Sequence, residues 1–155
     1  MVVISHIHGD HLGDLYGFLR KNPNVTVLIP VSFPKRIRET ITSLGAEYQD
    51  IKGAAKIAEH VYTTGILGAA IKEQSLLLDT KNGIVVITGC AHPGIVKIAG
   101  TARQILPDRD LHLLIGGFHL GSSSEHNLKS IIEQFRYLKV QKVAPSPCGH
   151  LRPSV

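Results

Sequence analysis

At 155 residues the chain is long enough for one domain with a real core and short for two. With 43% hydrophobic and 19% charged residues it is globular in composition, and no apolar run reaches the length of a membrane span or starts like a signal peptide; a soluble, cytoplasmic protein is the expectation. The net charge of +5 is scattered, and 5% aromatic residues without a single Trp leave little to stack bases, which argues against nucleic acid as a partner.

In chain order, "MVVIS" is an apolar run that predicts a strand buried on both faces. After a histidine-rich stretch, Leu12, Leu15, Tyr16 and Leu19 recur at helical spacing, with Gly13 and Gly17 weakening the pattern. "NPNVTVLIP" reads as a turn and a strand. "PKRIRETITSLG" reads as a helix, with Pro34 in its first turn, Ile37, Ile41 and Leu44 on one face and Gly45 at its end. Lys35, Arg36 and Arg38 read as the solvated face of that helix, attraction of an anionic substrate being the other possibility. Residues 46–75 predict short strands and loops. "SLLLDTKNGIVVIT" predicts a hairpin turning at Asn82-Gly83, a dipeptide suited to two-residue turns. A "GCAHPG" loop leads into a helix with Ile95, Ile98, Ala99 and Ala102 on one face. "LHLLIGGFHLG" is a strand that stops at a glycine pair and a histidine. A helix comes next with Leu128, Ile131, Ile132, Phe135 and Leu138 as its buried stripe, then a short strand and a proline-rich tail. Strands followed by helices predict one layered α/β domain over residues 1–155.

The nine histidines matter most for where they fall. His6 and His8 flank Ile7 at a strand end, so both imidazoles point the same way, and Gly9 lets the chain turn to bring Asp10 and His11 beside them. His92 and His119 stand just past two later strands. Clustered imidazoles and a carboxylate are costly to desolvate together unless a cation holds them, so residues 6–11 read as a metal site. His60, His112 and His126 read as ordinary surface or satisfied residues. Cys90 and Cys148 read as small buried residues in preference to ligands.

The H-x-H-x-D-H motif after a buried strand, with the later "ITGCAHPGIVKI" and "IGGFHL", resembles the metallo-β-lactamase superfamily. Within it the phrases are similar to the subgroup of 7,8-dihydropterin-6-methyl-4-(β-D-ribofuranosyl)aminobenzene-5′-phosphate synthase-like metal-dependent hydrolases. The resemblance implies a four-layer αββα sandwich, here N-terminally truncated, because family members carry several strands ahead of the motif. It also implies that His6, His8 and His92 hold one ion and that Asp10 and His11 contribute to a second. His119 falls where many members place a bridging aspartate, so it would bind metal or hydrogen-bond to substrate. The closing histidine of the family corresponds to Pro147 here, which leaves His150 or Cys148 to replace it.

The resemblance further implies one or two divalent ions, Zn²⁺ foremost with Mn²⁺ or Fe as alternatives, activating water for hydrolysis. Asp10 would orient that water or carry its proton. The implied substrate is a small phosphorylated or phosphodiester-like anion. An N-terminally truncated sandwich would expose a sheet edge and an apolar face, which predicts a homo-oligomer. The rival reading is a catalytically impaired metal-binding homologue that serves as a structural or interaction protein.

Overall fold

The computed structural model describes residues 1–146. Its first third builds a small parallel sheet from β1 (Val2–Val3), β2 (Thr26–Pro30) and β3 (Glu47–Ile51), in that spatial order. Between these strands run α1 (Gly9–Leu12), α2 (Leu15–Lys21) and α3 (Lys35–Ser43). Side chains alternate across a strand, so Val27 and Ile29 of β2 face one way and pack with Leu15, Leu19, Ile37 and Ile41 from the helices. Leu28 is buried on the opposite face.

Two expectations change here. The "MVVIS" run is not a strand buried on both faces: among the described residues β1 lies at the sheet edge with β2 alone paired to it, and Val2 and Val3 are only half-buried. Lys35 and Arg36 do form a solvated face, but Arg38 does not. Its guanidinium reaches Asp50 on β3 at 2.6 Å and the Val31 carbonyl at 2.9 Å, tying α3 down to its own sheet.

The remainder forms a six-stranded sheet in sequential order: β4 (Ala55–Ala58), β5 (Val61–Thr63), β6 (Leu76–Thr80), β7 (Gly83–Thr88), β8 (Leu111–Gly117) and β9 (Lys142–Ser146). The pairs from β4 to β7 are antiparallel and those from β7 to β9 parallel. The parallel crossovers carry α4 (Ile95–Ile105) and α5 (Glu125–Tyr137). Ile95, Ile98, Ala99 and Ala102 of α4 are all buried against Ile84, Val86, Leu111 and Leu114.

The β6–β7 hairpin turns one residue earlier than its dipeptide suggests. Thr80 pairs with Gly83, so Lys81 and Asn82 form the turn, and Gly83 opens β7 at φ +120°. A Cβ there would meet the Asp110 carbonyl oxygen at 2.5 Å, so glycine is needed for close approach rather than for the turn. The α5 stripe is also narrower than expected. Ile131, Phe135 and Leu138 meet the core, while Leu128 and Ile132 are exposed, because α5 packs on α4 and Phe118 and not squarely on the sheet.

The layers therefore run helices, small sheet, large sheet, helices: an αββα sandwich. Gln74 stitches the sheets together from a fully buried position, donating to the Ile4 carbonyl at 3.0 Å and accepting from Thr63 Oγ1 at 2.7 Å. This stitch holds the end of β1 beside the ends of β7 and β8. Among the described residues no helix is long and apolar enough to cross a membrane.

Candidate metal centre

Five imidazoles meet where β1, β7 and β8 end. The His6 ring lies 4.7 Å from His8, 4.2 Å from His11 and 4.8 Å from His92, centroid to centroid. His8 and His92 are 4.8 Å apart, and His119 closes the row 4.5 Å from His92. Donor atoms of His6, His8 and His92 all lie within 4.8 Å of one another, and so do those of His6, His11 and Cys90.

This cluster fits a cation on two observations. His6 is fully buried, and among the described residues its Nε2 and the Nε2 of His92 have no hydrogen-bond partner. A buried nitrogen left unsatisfied costs about 1–3 kcal/mol, which a bound ion removes. Burial and the neighbouring imidazoles push the His6 pKa from 6.5 down to about 4, against the pull of Glu73; His92 shifts the same way, desolvation again leading. Both rings are thus neutral at neutral pH, the form that binds metal.

Side chains around the rings fix their aim. Ser5 Oγ sits 3.0 Å from His6 Nδ1 and 3.4 Å from His11 Nδ1, leaving both Nε2 atoms to face inward. Buried Glu73 accepts hydrogen bonds from the backbone N–H groups of Cys90 (2.9 Å), Ala91 (3.0 Å) and His92 (2.9 Å). That clamp holds Ala91 in the left-handed region at φ +57°, a strained conformation for a residue with a Cβ. His119 also lies in the left-handed region, at φ +53°. Gly89 is needed where it stands, because a Cβ would meet Ser5 Oγ at 2.3 Å.

No known family profile matches the chain. A crystal structure of a metal-dependent hydrolase of the β-lactamase superfamily superposes over 97% of this chain and 69% of its own, at 25% identity and a TM-score of 0.75. This is the metallo-β-lactamase fold. The metallo-β-lactamase fold protein YhfI of Bacillus subtilis matches 96% of the chain and 75% of its own at a TM-score of 0.52 and 13% identity, a likeness of fold alone. Among curated proteins, the 7,8-dihydropterin-6-methyl-4-(β-D-ribofuranosyl)-aminobenzene-5′-phosphate synthase of Methanocaldococcus jannaschii is 22% identical over 96% of the chain. The chain spans 65% of that relative's length.

Within this metallo-β-lactamase fold the structure brings His6, His8, His11, His92 and His119 into one cluster. Asp10 is exposed beside the second donor group, with Oδ2 3.6 Å from His11 Nε2. His119 touches the His92 ring but belongs to neither donor group. Pro147, Cys148 and His150 lie outside the described residues. His60, His112 and His126 are away from the cluster; His112 faces Gln141 at 2.8 Å.

One residue that shapes the cluster carries no signal in the sequence, and another is read there only as a small buried residue. Glu73 sits in a stretch without periodicity and acts on backbone groups 17 to 19 residues later. Cys90 is buried as expected, but its Sγ also lies 3.2 Å from His11 Nε2, 79 residues earlier in the chain.

Proposed function

We propose that the chain is a metal-dependent hydrolase acting on a small anionic, phosphorylated or phosphodiester-like molecule. One observation carries the reading: three imidazoles, from His6, His8 and His92, converge with ring nitrogens inside 4.8 Å, and two of those rings have a buried Nε2 without a partner among the described residues. These three residues would hold a divalent ion, whose chemistry there would be Lewis acidity and the activation of water.

The chain's own groups supply the rest. Glu73 and Ser5 hold the rings in place, so no reorganisation is needed as charge develops. Asp10, exposed beside His11, is placed to take up and release a proton. His119, exposed at the rim next to His92, is placed to hydrogen-bond to the substrate. The phosphorylated substrate class draws on the name of the M. jannaschii relative and on the net charge of +5. Zn²⁺ is the proposed ion because imidazole donors suit it.

The same reading includes self-association. Ile87 and Ile115, neighbours on the large sheet, are 38% and 37% exposed on the face that borders the inter-sheet cleft, and β1 leaves one edge unpaired among the described residues.

The test is turnover of small phosphomonoesters, phosphodiesters, esters and lactones by the Zn²⁺- and Mn²⁺-loaded chain, with and without chelator. Hydrolysis that disappears on chelation and returns with metal supports the proposal. Stoichiometric metal with no turnover on any of them favours the catalytically impaired homologue instead.

A further inference from the structure

The second donor group contains sulfur, and nothing in the hydrolase reading uses it. His11 Nε2 and Cys90 Sγ are 3.2 Å apart. Two ligands at roughly 2.0 Å (nitrogen) and 2.3 Å (sulfur) on a tetrahedral ion stand about 3.5 Å apart, close to this separation. His6, fully buried and with its Nε2 unpartnered among the described residues, completes the triangle. Asp10 Oδ2 lies 3.6 Å from the same His11 nitrogen, on the exposed side.

We propose that Cys90 is a metal ligand, forming with His11 and His6 a nitrogen–sulfur site next to the all-imidazole group of His6, His8 and His92. The inference rests on the metal-dependent reading above and goes beyond it, since it assigns a soft donor to one of two adjacent positions. Hydrogen bonding supports it. Ser5 Oγ faces Nδ1 of both His6 and His11, and one hydroxyl donates only one proton. If it donates to His6 Nδ1, the neutral ring carries its proton on a buried Nε2 that has no acceptor among the described residues. If it accepts from His6 Nδ1, the Nε2 lone pair is bare. A cation satisfies the second arrangement and lets Cys90 and His11 share it. The backbone is built for this: Glu73 fixes the Cys90 N–H at 2.9 Å, so Sγ is set by a rigid loop. His6 stands between the groups and can serve either one. A thiolate in the set makes that position selective for thiophilic ions such as Zn²⁺ and Co²⁺ over Mg²⁺ or Mn²⁺.

The test loads the metal-free full chain with Co²⁺ and follows absorption during titration. Wild type and Cys148→Ser are expected to show an intense near-ultraviolet thiolate-to-cobalt charge-transfer band beside weaker visible bands. Cys90→Ser is expected to lose the charge-transfer band while keeping the visible bands of the imidazole group. Cobalt bound with visible bands and no charge transfer overturns the sulfur assignment and leaves the hydrolase reading standing. A band lost in Cys148→Ser overturns it as well, and that comparison decides the matter even if Cys90→Ser does not fold. No cobalt bound at all overturns both readings.

Discussion

Three successive backbone N–H groups, from Cys90, Ala91 and His92, end on the Glu73 carboxylate, and the aim of the His92 ring depends on that arrangement. Glu73→Gln replaces a triple acceptor by an amide whose NH₂ has to face an N–H. Metal affinity measured by competition with a chelating dye is expected to fall about 10–100-fold, the usual cost of losing a group that orients ligands. An unchanged affinity would mean that the loop keeps its shape unaided. The buried imidazoles also make a pH prediction. The folded His6 pKa of about 4 lies below its ordinary 6.5, so between those values the unfolded chain binds a proton that the folded chain refuses. His92 shifts the same way. Stability of the metal-free chain is therefore full above about pH 6.5 and is lost as pH falls towards 4. Urea midpoints in chelator should drop from pH 7 to pH 5, and His6→Gln should flatten the drop; equal wild-type midpoints at both values contradict it.

At the scale of elements, the hairpin offers a clean test. Gly83 sits at φ +120° with the Asp110 carbonyl oxygen against its missing Cβ, so Gly83→Ala is expected to cost about 1–3 kcal/mol in urea denaturation. Asn82→Ala, in the exposed turn, is expected to cost less; equal losses would put the glycine back in the turn. The same hairpin shows what local sequence can convey. The apolar runs of β6 and β7 and the helical face of α4 were legible because burial repeats at the period of each element. The turn position was not, because a contact with Asp110 on the neighbouring segment decides which residue must be glycine. The buried face of α5 was overestimated for a similar reason: which apolar residues are covered depends on α4 and Phe118. In the site, His6, His8 and His11 were legible from their spacing, and His92 and His119 from their place after apolar runs. Glu73 and the contact of Cys90 with His11 were not, since the partners lie far apart in the chain and no periodicity marks them.

At the scale of the molecule, two sheets held together by Gln74 leave a cleft of about 270 Å³ between them, bordered by Val3, Leu76, Ile87 and the His11 ring. Exposed Ile87 and Ile115 on this side of the large sheet lead us to propose that a second copy covers them. Light scattering is expected to give a multiple of the 16.8 kDa chain mass, and Ile87→Lys with Ile115→Lys to shift it towards one chain; a wild-type mass of one chain removes the proposal. The central claim, that strand ends bring imidazoles together to hold a cation, is met most directly by metal content per chain in the wild type and in His8→Ala. His8 is the variant of choice because it is half-buried and outside both apolar cores, so its loss should spare the fold. Zinc is expected to stay with the wild type through dialysis and to be lost by His8→Ala at unchanged circular dichroism. Equal metal content in the two proteins would contradict it.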